Sequence, residues 1–297
     1  MAKKIFIGVD FGGTKIMTGA IDDTGKVLGT PVKVYTGAND EPSVIIKRIT
    51  ESIEKIMTIL NVPVTNIGGI GIGATGPLDL EKGTILECPQ LPTLQFFPLQ
   101  DTIQKYFNIP VYLNNDANCL ILAECVFGVA ICKKNIAGFT LGTGIGCAVI
   151  IDKKIFNGAT GSAGEIWPSH YQSGIIEDFI SGGGVQKIYK SVCGESKSSL
   201  DIYRLAVDKD LNALKTWKIF GEHLAVPISW TINLLDPEIV VLGGSISAAY
   251  PFFKASMEKK ISRYVCPVPA SKTKVVLAAL GDHAGFIGAA CLAIQNN

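Results

Sequence analysis

Val9-Asp10-Phe11-Gly12-Gly13-Thr14-Lys15 joins two short apolar runs, residues 4–10 and 15–21, and a third follows at 26–35 after Asp22-Asp23-Thr24-Gly25. Apolar stretches of this length broken by Gly-Gly and Asp-Thr-Gly predict strands joined by tight hairpins. Gly12 and Gly13 carry no side chain, so their backbone N–H groups can approach a phosphate closely, and Thr14 adds a hydroxyl donor. Asp10, at a strand end, could hold Mg²⁺ through water, because magnesium keeps much of its hydration shell. Taken alone, the same residues also describe an ordinary hairpin turn with an Asp cap.

The pattern recurs in the second half. Thr140-Leu141-Gly142-Thr143-Gly144-Ile145-Gly146 again places glycines and a threonine between apolar runs, 136–141 and 147–151. One glycine turn says little. Two, in equivalent places of two halves, would make the jaws of a phosphate clamp.

Between and after these turns the chain alternates helical and extended patterns. A helix is predicted over 41–60, with Ile45, Ile49, Ile53, Ile56 and Leu60 on one face. Strands at 67–73 and 111–114 follow, with a helix at 99–106 between them and another at 116–127. Later helices are expected at 211–235, 249–262 and 284–295, with strands at 239–242 and 274–278. A β-meander followed by alternating helices and strands, occurring twice, predicts a duplicated α/β fold with two lobes around a cleft. The boundary is placed at Asn114: a small lobe of residues 1–114 joined by the C-terminal helix 284–297, and a large lobe of residues 115–283.

Two further glycine segments stand out. Ile239-Val240-Val241-Leu242-Gly243-Gly244-Ser245 ends a buried strand in two glycines, as expected where backbone packs against a flat ligand such as adenine or makes a tight strand-to-helix turn. Gly71-Ile72-Gly73-Ala74-Thr75-Gly76 matches the dinucleotide fingerprint, which should open a helix and lead to an acid about 20 residues later. Pro77-Leu78-Asp79 and a proline-rich stretch follow instead, so the segment is read as strand and loop.

Leu113-Asn114-Asn115-Asp116-Ala117-Asn118 supplies a base. Asp116 follows a strand and begins a helix, where an aspartate is commonly an N-cap. Its amide neighbours Asn115 and Asn118 can exchange hydrogen bonds with a polyol, and a carboxylate among them suits removal of a hydroxyl proton. Phosphoryl transfer needs mainly positioning and charge neutralisation, which two clamps, one magnesium ion and one base would provide. Neither a Walker A lysine motif nor a kinase H-R-D loop is present.

Composition narrows the classes. The 297 residues carry 27 basic and 26 acidic side chains, a formal net charge of +1, with 47% hydrophobic and 18% charged residues. That balance predicts a well-packed chain with neither a nucleic-acid nor a membrane surface. Residues 5–9 are too few for a signal-peptide core, and glycines break the apolar stretch 136–151, so a cytoplasmic location is expected. The eight cysteines are scattered with no C-x-x-C pair, which argues against a disulfide framework or a thiolate metal cage.

With these residues in place the chain resembles the ROK sugar kinases, of the actin-like ATPase superfamily, over essentially its whole length. Asp10-Phe11-Gly12-Gly13-Thr14-Lys15 is similar to the first phosphate motif, Leu141-Gly142-Thr143-Gly144-Ile145-Gly146 to the second, Asn115-Asp116-Ala117-Asn118 to the catalytic motif and Leu242-Gly243-Gly244 to the adenosine-side motif. The resemblance implies ATP and Mg²⁺ as cofactors, with Asp10, Gly12, Gly13, Thr14, Lys15, Gly142, Thr143, Gly144, Gly243 and Gly244 on the nucleotide. It implies Asp116 as general base toward the 6-hydroxyl of a hexose. Glucose is the first expectation, with N-acetylglucosamine, N-acetylmannosamine and other hexoses as alternatives, and a sugar sensor without catalysis as a further one. Asn115, Glu165, Glu177 and Gly76 would bind the sugar, and a homodimer is the assembly it suggests. The family's repressors carry an N-terminal helix-turn-helix module, and with the first phosphate strand opening at residue 5 none is expected here. Where the family continues from Glu165 to Gly-His and a zinc-binding cysteine cluster, this chain has Trp167-Pro168 and no cysteine between Cys147 and Cys193. No zinc site is therefore expected, and Trp167 could offer an aromatic wall where the histidine is missing. Gln90 stands where many relatives have asparagine.

Overall fold

A computed structural model describes residues 4–297. The chain divides into two compact units: the chain up to Ile131 with Lys153–Ala163 and Ala279–Asn297, and Cys132–Asp152 with Gly164–Ala278.

In the first unit, β1 (Ile5–Phe11), β2 (Lys15–Asp22) and β3 (Val27–Tyr35) form an antiparallel meander. β4 (Ile67–Ala74) lies parallel to β1, and β5 (Val111–Asn115) parallel to β4, giving the order β3-β2-β1-β4-β5. Three helices accompany this sheet: α1 (Pro42–Leu60), α2 (Leu99–Phe107) and α3 (Asp116–Val126). α1 opens on Pro42, whose fixed φ suits a first helical position, and ends at Asn61 in the left-handed region. Its Ile45, Ile49, Ile53 and Ile56 are fully buried, while Leu60 packs at the edge of the same core.

The C-terminal helix, Ala284–Gln295, also belongs to this unit and comes unusually close to its sheet. A Cβ on Gly8 would lie 1.8 Å from the carbonyl oxygen of Phe286, and one on Gly71 would lie 1.7 Å from that of Ala289. On the helix side, a Cβ on Gly288 would lie 1.6 Å from the Cys119 carbonyl of α3. Backbone therefore packs on backbone at both faces of the helix. Gly71 and Gly73 lie inside β4, and no helix opens there. The fingerprint-like glycine spacing serves close packing.

The second unit repeats the theme. β6 (Ile136–Leu141) and β7 (Ile145–Ile151) form a hairpin, β8 (Ile239–Gly243) runs parallel to β6, and β9 (Lys274–Leu277) parallel to β8. Helices α4 (Gly182–Cys193), α5 (Ser199–Val207), α6 (Leu211–Leu235) and α7 (Tyr250–Tyr264) accompany this sheet, with two shorter ones at Glu177–Ile180 and Pro267–Lys272. Trp217, Phe220 and Phe253 form the aromatic centre of its core, with ring centroids 5.3–6.3 Å apart. An antiparallel hairpin extended by parallel strands thus appears in each unit, the duplicated actin-like α/β architecture.

The division differs from a boundary at Asn114. α3 and Lys153–Ala163 fall with the first unit, because α3 is clamped to the C-terminal helix at Gly288. Helices α4 and α5 lay outside the sequence expectations. Among the described residues no helix is long and apolar enough to cross a membrane.

Candidate active site

In the first unit the parallel strands end in step: Asp10 pairs with Gly73, Gly73 with Asn114, and Ala74 with Asn115. The register brings Asp10 and the Asn114-Asn115-Asp116 turn to one end of the sheet. A Cβ on Gly285 would lie 2.7 Å from Cγ of Asp10, so the first turn of the C-terminal helix abuts this carboxyl. Burial, reinforced by the charge of Asp116, raises the Asp10 pKa to about 6 against the pull of Lys15.

Asp116 is not the helix cap. Asn115 takes that place in extended conformation, its Oδ1 accepting the Ala117 N–H at 2.9 Å, and Asp116 becomes the first helical residue. Its Oδ1 accepts the same N–H at 2.7 Å and its Oδ2 accepts the Thr75 hydroxyl at 3.1 Å. Burial raises the Asp116 pKa, and these two donors hold it back.

Asn118 does not face a polyol. It is 3% exposed, and its Nδ2 donates to Oδ1 of Asn114 at 2.8 Å. Asn114 Oδ1 also accepts the Asn115 N–H at 2.8 Å, and its Nδ2 donates to Asn157 Oδ1 at 3.1 Å. Sequence reasoning gave Asn114 no role, yet its amide fixes the peptide that leads into Asp116. Gly76 lies beside Asn115: a Cβ there would be 3.3 Å from the Asn115 Nδ2.

The Gly12-Gly13-Thr14 turn is closed by the Gly12 N–H on the Lys15 carbonyl at 3.0 Å, and Thr36 steadies it by donating its hydroxyl to the Gly12 carbonyl at 2.6 Å. A Cβ on Gly13 would meet the Gln90 carbonyl at 2.7 Å, which places the Gln90 loop against this turn.

In the second unit three glycine turns adjoin one another. Gly142 closes its turn with an N–H on the Gly144 carbonyl at 3.0 Å, and Thr143 lies at its tip. The Gly142 carbonyl accepts the Gly182 N–H at 2.8 Å, tying the turn to the start of α4. Gly243 pairs with Thr140, and Gly244, at φ 84°, sits where a Cβ would be 2.4 Å from the Leu141 carbonyl. The start of α4 was missed in the sequence. Its signal is Ser181 before three glycines and a buried Val185, Ile188 and Tyr189, with the Ser181 hydroxyl accepting the Gly184 N–H at 3.2 Å.

Glu177 lies against the same turn: its Oε2 accepts the Ile145 N–H at 3.1 Å, and a Cβ on Gly144 would be 2.5 Å from that oxygen. Glu165 is exposed and accepts the indole N–H of Trp167 at 2.8 Å. The Trp167 carbonyl accepts the Glu177 N–H at 3.2 Å, so the two glutamates are joined through this residue. Among the described residues no group of three or more His, Cys, Asp or Glu side chains could hold a metal ion.

Chemically, the first unit offers a shielded carboxylate poised to take a proton, and a second carboxylate beside a glycine turn. The second offers side-chain-free backbone at three adjoining turns, suited to an anion or a flat ring.

Comparison with known proteins identifies the family. The ROK family model matches residues 6–296. A glucokinase of Halalkalibacterium halodurans is 28% identical across 99% of this chain and 96% of its own. An N-acetyl-D-glucosamine kinase of Vibrio parahaemolyticus is 28% identical across 98% of this chain and 100% of its own. The crystal structure of a ROK family glucokinase from Streptomyces griseus in complex with glucose and AMPPNP superimposes with a TM-score of 0.83 at 26% identity, covering 98% of this chain and 99% of that one. The chain belongs to the ROK family.

Proposed function

We propose, with ROK membership as the premise, that this chain is an ATP-dependent sugar kinase that moves the γ-phosphoryl group of ATP to the 6-hydroxyl of a hexose. The observation that carries the reading is Asp116: its carboxyl is released from capping by Asn115, and burial raises its affinity for a proton. Relatives across nearly the full length are named for glucose and N-acetylglucosamine phosphorylation, and one was crystallised with an ATP analogue.

Asp116 takes the hydroxyl proton as the oxygen attacks phosphorus, a contribution of roughly 10²–10⁴ in rate. Thr75 and the Ala117 N–H aim its carboxylate and favour the ionised form against the effect of burial. Asn115, Gly76, Glu165 and Glu177 are assigned to the sugar. For Glu177 the assignment works through the turn it holds at Ile145. Gly12, Gly13, Thr14 and Lys15, with Gly142, Thr143 and Gly144, are assigned to the phosphates, and Gly243 and Gly244 to the adenosine. Asp10 suits Mg²⁺: its carboxyl is shielded, feels the charge of a second acid and lies against Gly285 on the helix side. A bound magnesium ion would neutralise phosphate charge there, and few protein ligands are needed because magnesium retains waters. Glucose is the first candidate and N-acetylglucosamine the second.

A coupled ADP-release assay over hexoses and N-acetylhexosamines, with Mg²⁺ and chelator arms, tests this on wild type and Asp116→Asn. Sugar-dependent turnover that falls at least a hundredfold in the variant is expected. A folded wild type that binds ATP and sugar but never turns over would instead make the chain a sensor.

A further inference from the structure

Trp167 makes two hydrogen-bonded links within one loop of the second unit. Its indole N–H donates to Oε2 of Glu165 at 2.8 Å, and its carbonyl accepts the N–H of Glu177 at 3.2 Å. Glu177 in turn carries the Ile145 N–H at 3.1 Å, at the foot of the Gly142-Thr143-Gly144 turn. The preceding residue, Ile166, packs against the core of the unit, whereas the Trp167 side chain stays 40% exposed. An exposed tryptophan whose only polar atom is already bonded has its flat, apolar π-face left to offer, and an indole held by a carboxylate loses little rotamer freedom when that face is covered.

We propose that Trp167 is a specificity-determining residue for the sugar. Its ring covers the C–H face of a pyranose while its N–H keeps the Glu165 carboxylate turned toward the ring hydroxyls. The inference rests on the sugar-kinase reading above. A pyranose whose ring hydroxyls are equatorial presents only axial C–H bonds to a stacked ring, whereas an axial hydroxyl on the packed face lifts the sugar away. Trp167 therefore selects aldohexoses of the first kind over their axial epimers. Because it also anchors the Glu177 backbone, the same residue ties the sugar-facing loop to the glycine turn assigned to phosphate.

The test compares wild type, Trp167→Phe and Trp167→Ala, first by sugar binding without nucleotide, using calorimetry, then by steady-state kinetics over glucose, mannose, allose and galactose. Trp167→Ala should raise the Kd and KM for the preferred sugar tenfold or more, leave the KM for ATP within twofold, and shrink the preference among epimers. Trp167→Phe keeps a ring but loses the N–H, and should fall between. An unchanged sugar KM in Trp167→Ala overturns the proposal while leaving the kinase reading intact. So does a parallel loss in sugar KM, ATP KM and kcat, which would mean a structural role alone. A wild type that neither binds nor phosphorylates any sugar removes both.

Discussion

The Thr75 hydroxyl reaches Oδ2 of Asp116 across 3.1 Å, so the loop after β4 and the first turn of α3 meet at one carboxylate. That donor favours the ionised form, opposing the burial that raises the Asp116 pKa. Thr75→Val should therefore move the Asp116 pKa further up. A base must be deprotonated to act, so the acid limb of the kcat/KM profile should shift to higher pH. The variant loses more activity at pH 6 than at pH 8, and an unshifted limb would separate Thr75 from the catalytic base.

Burial of the Asp10 carboxyl bears on stability. Its pKa is raised from 3.8 to about 6 on folding, so the native state holds more protons than the unfolded chain between those values. The contribution is favourable at low pH and is lost as pH rises through about 6. In the absence of magnesium and nucleotide, Asp10→Asn should raise the melting temperature at pH 7.5 and flatten its climb on acidification. The ceiling is on the order of 3 kcal/mol, from the size of the shift. The same variant should lose most magnesium-dependent turnover.

Gly142 and Gly244 separate ligand space from folding space. A Cβ on Gly142 meets nothing within 4 Å, whereas one on Gly244 would be 2.4 Å from the Leu141 carbonyl at a φ of 84°. Gly142→Ala should unfold within about 0.5 kcal/mol of wild type, as surface substitutions usually do, yet raise the ATP KM. Gly244→Ala should cost several-fold more, about 2 kcal/mol or above, from strain and overlap. Urea titrations beside nucleotide-dependent kinetics measure both.

Asn114→Ala removes the group that serves the Asn115 N–H, the Asn118 amide and the Asn157 side chain together. Unpaired buried polar groups cost about 1–3 kcal/mol each. A loss of that order in urea should accompany a lower kcat, because the peptide entering Asp116 is no longer fixed. Asn114→Asp, which keeps the acceptor, should recover part of the rate.

Much of this was readable from residue pattern. The four buried isoleucines of α1 announce themselves by spacing, and both hairpin turns by their glycines and threonines. α4 was signalled only weakly, by Ser181 and the apolar spacing after it, because Gly182-Gly183-Gly184 is poor helix sequence whose turn is held by Ser181 and by the Gly142 carbonyl. The capping choice between Asn115 and Asp116 was equally hidden, since both residue types cap well and only backbone geometry decides. Asn118 looked like a sugar ligand because its neighbours are polar, but the first turn of α3 directs it at Asn114. Glycines 71 and 73 spelled a nucleotide motif, but Gly71 makes room for Ala289, more than 200 residues later in sequence, and Gly73 for Cys119 of α3.

That helix also sets an order of events on the ribosome. Gly8, Gly19 and Gly71 are emptied of side chain to receive Phe286 and Ala289, yet the whole stretch Gly164–Ala278 is synthesised before Ala284. The first unit, begun earliest, is thus completed last. Until then its glycine-lined sheet face stays uncovered, while the residues of the second unit are already available to fold.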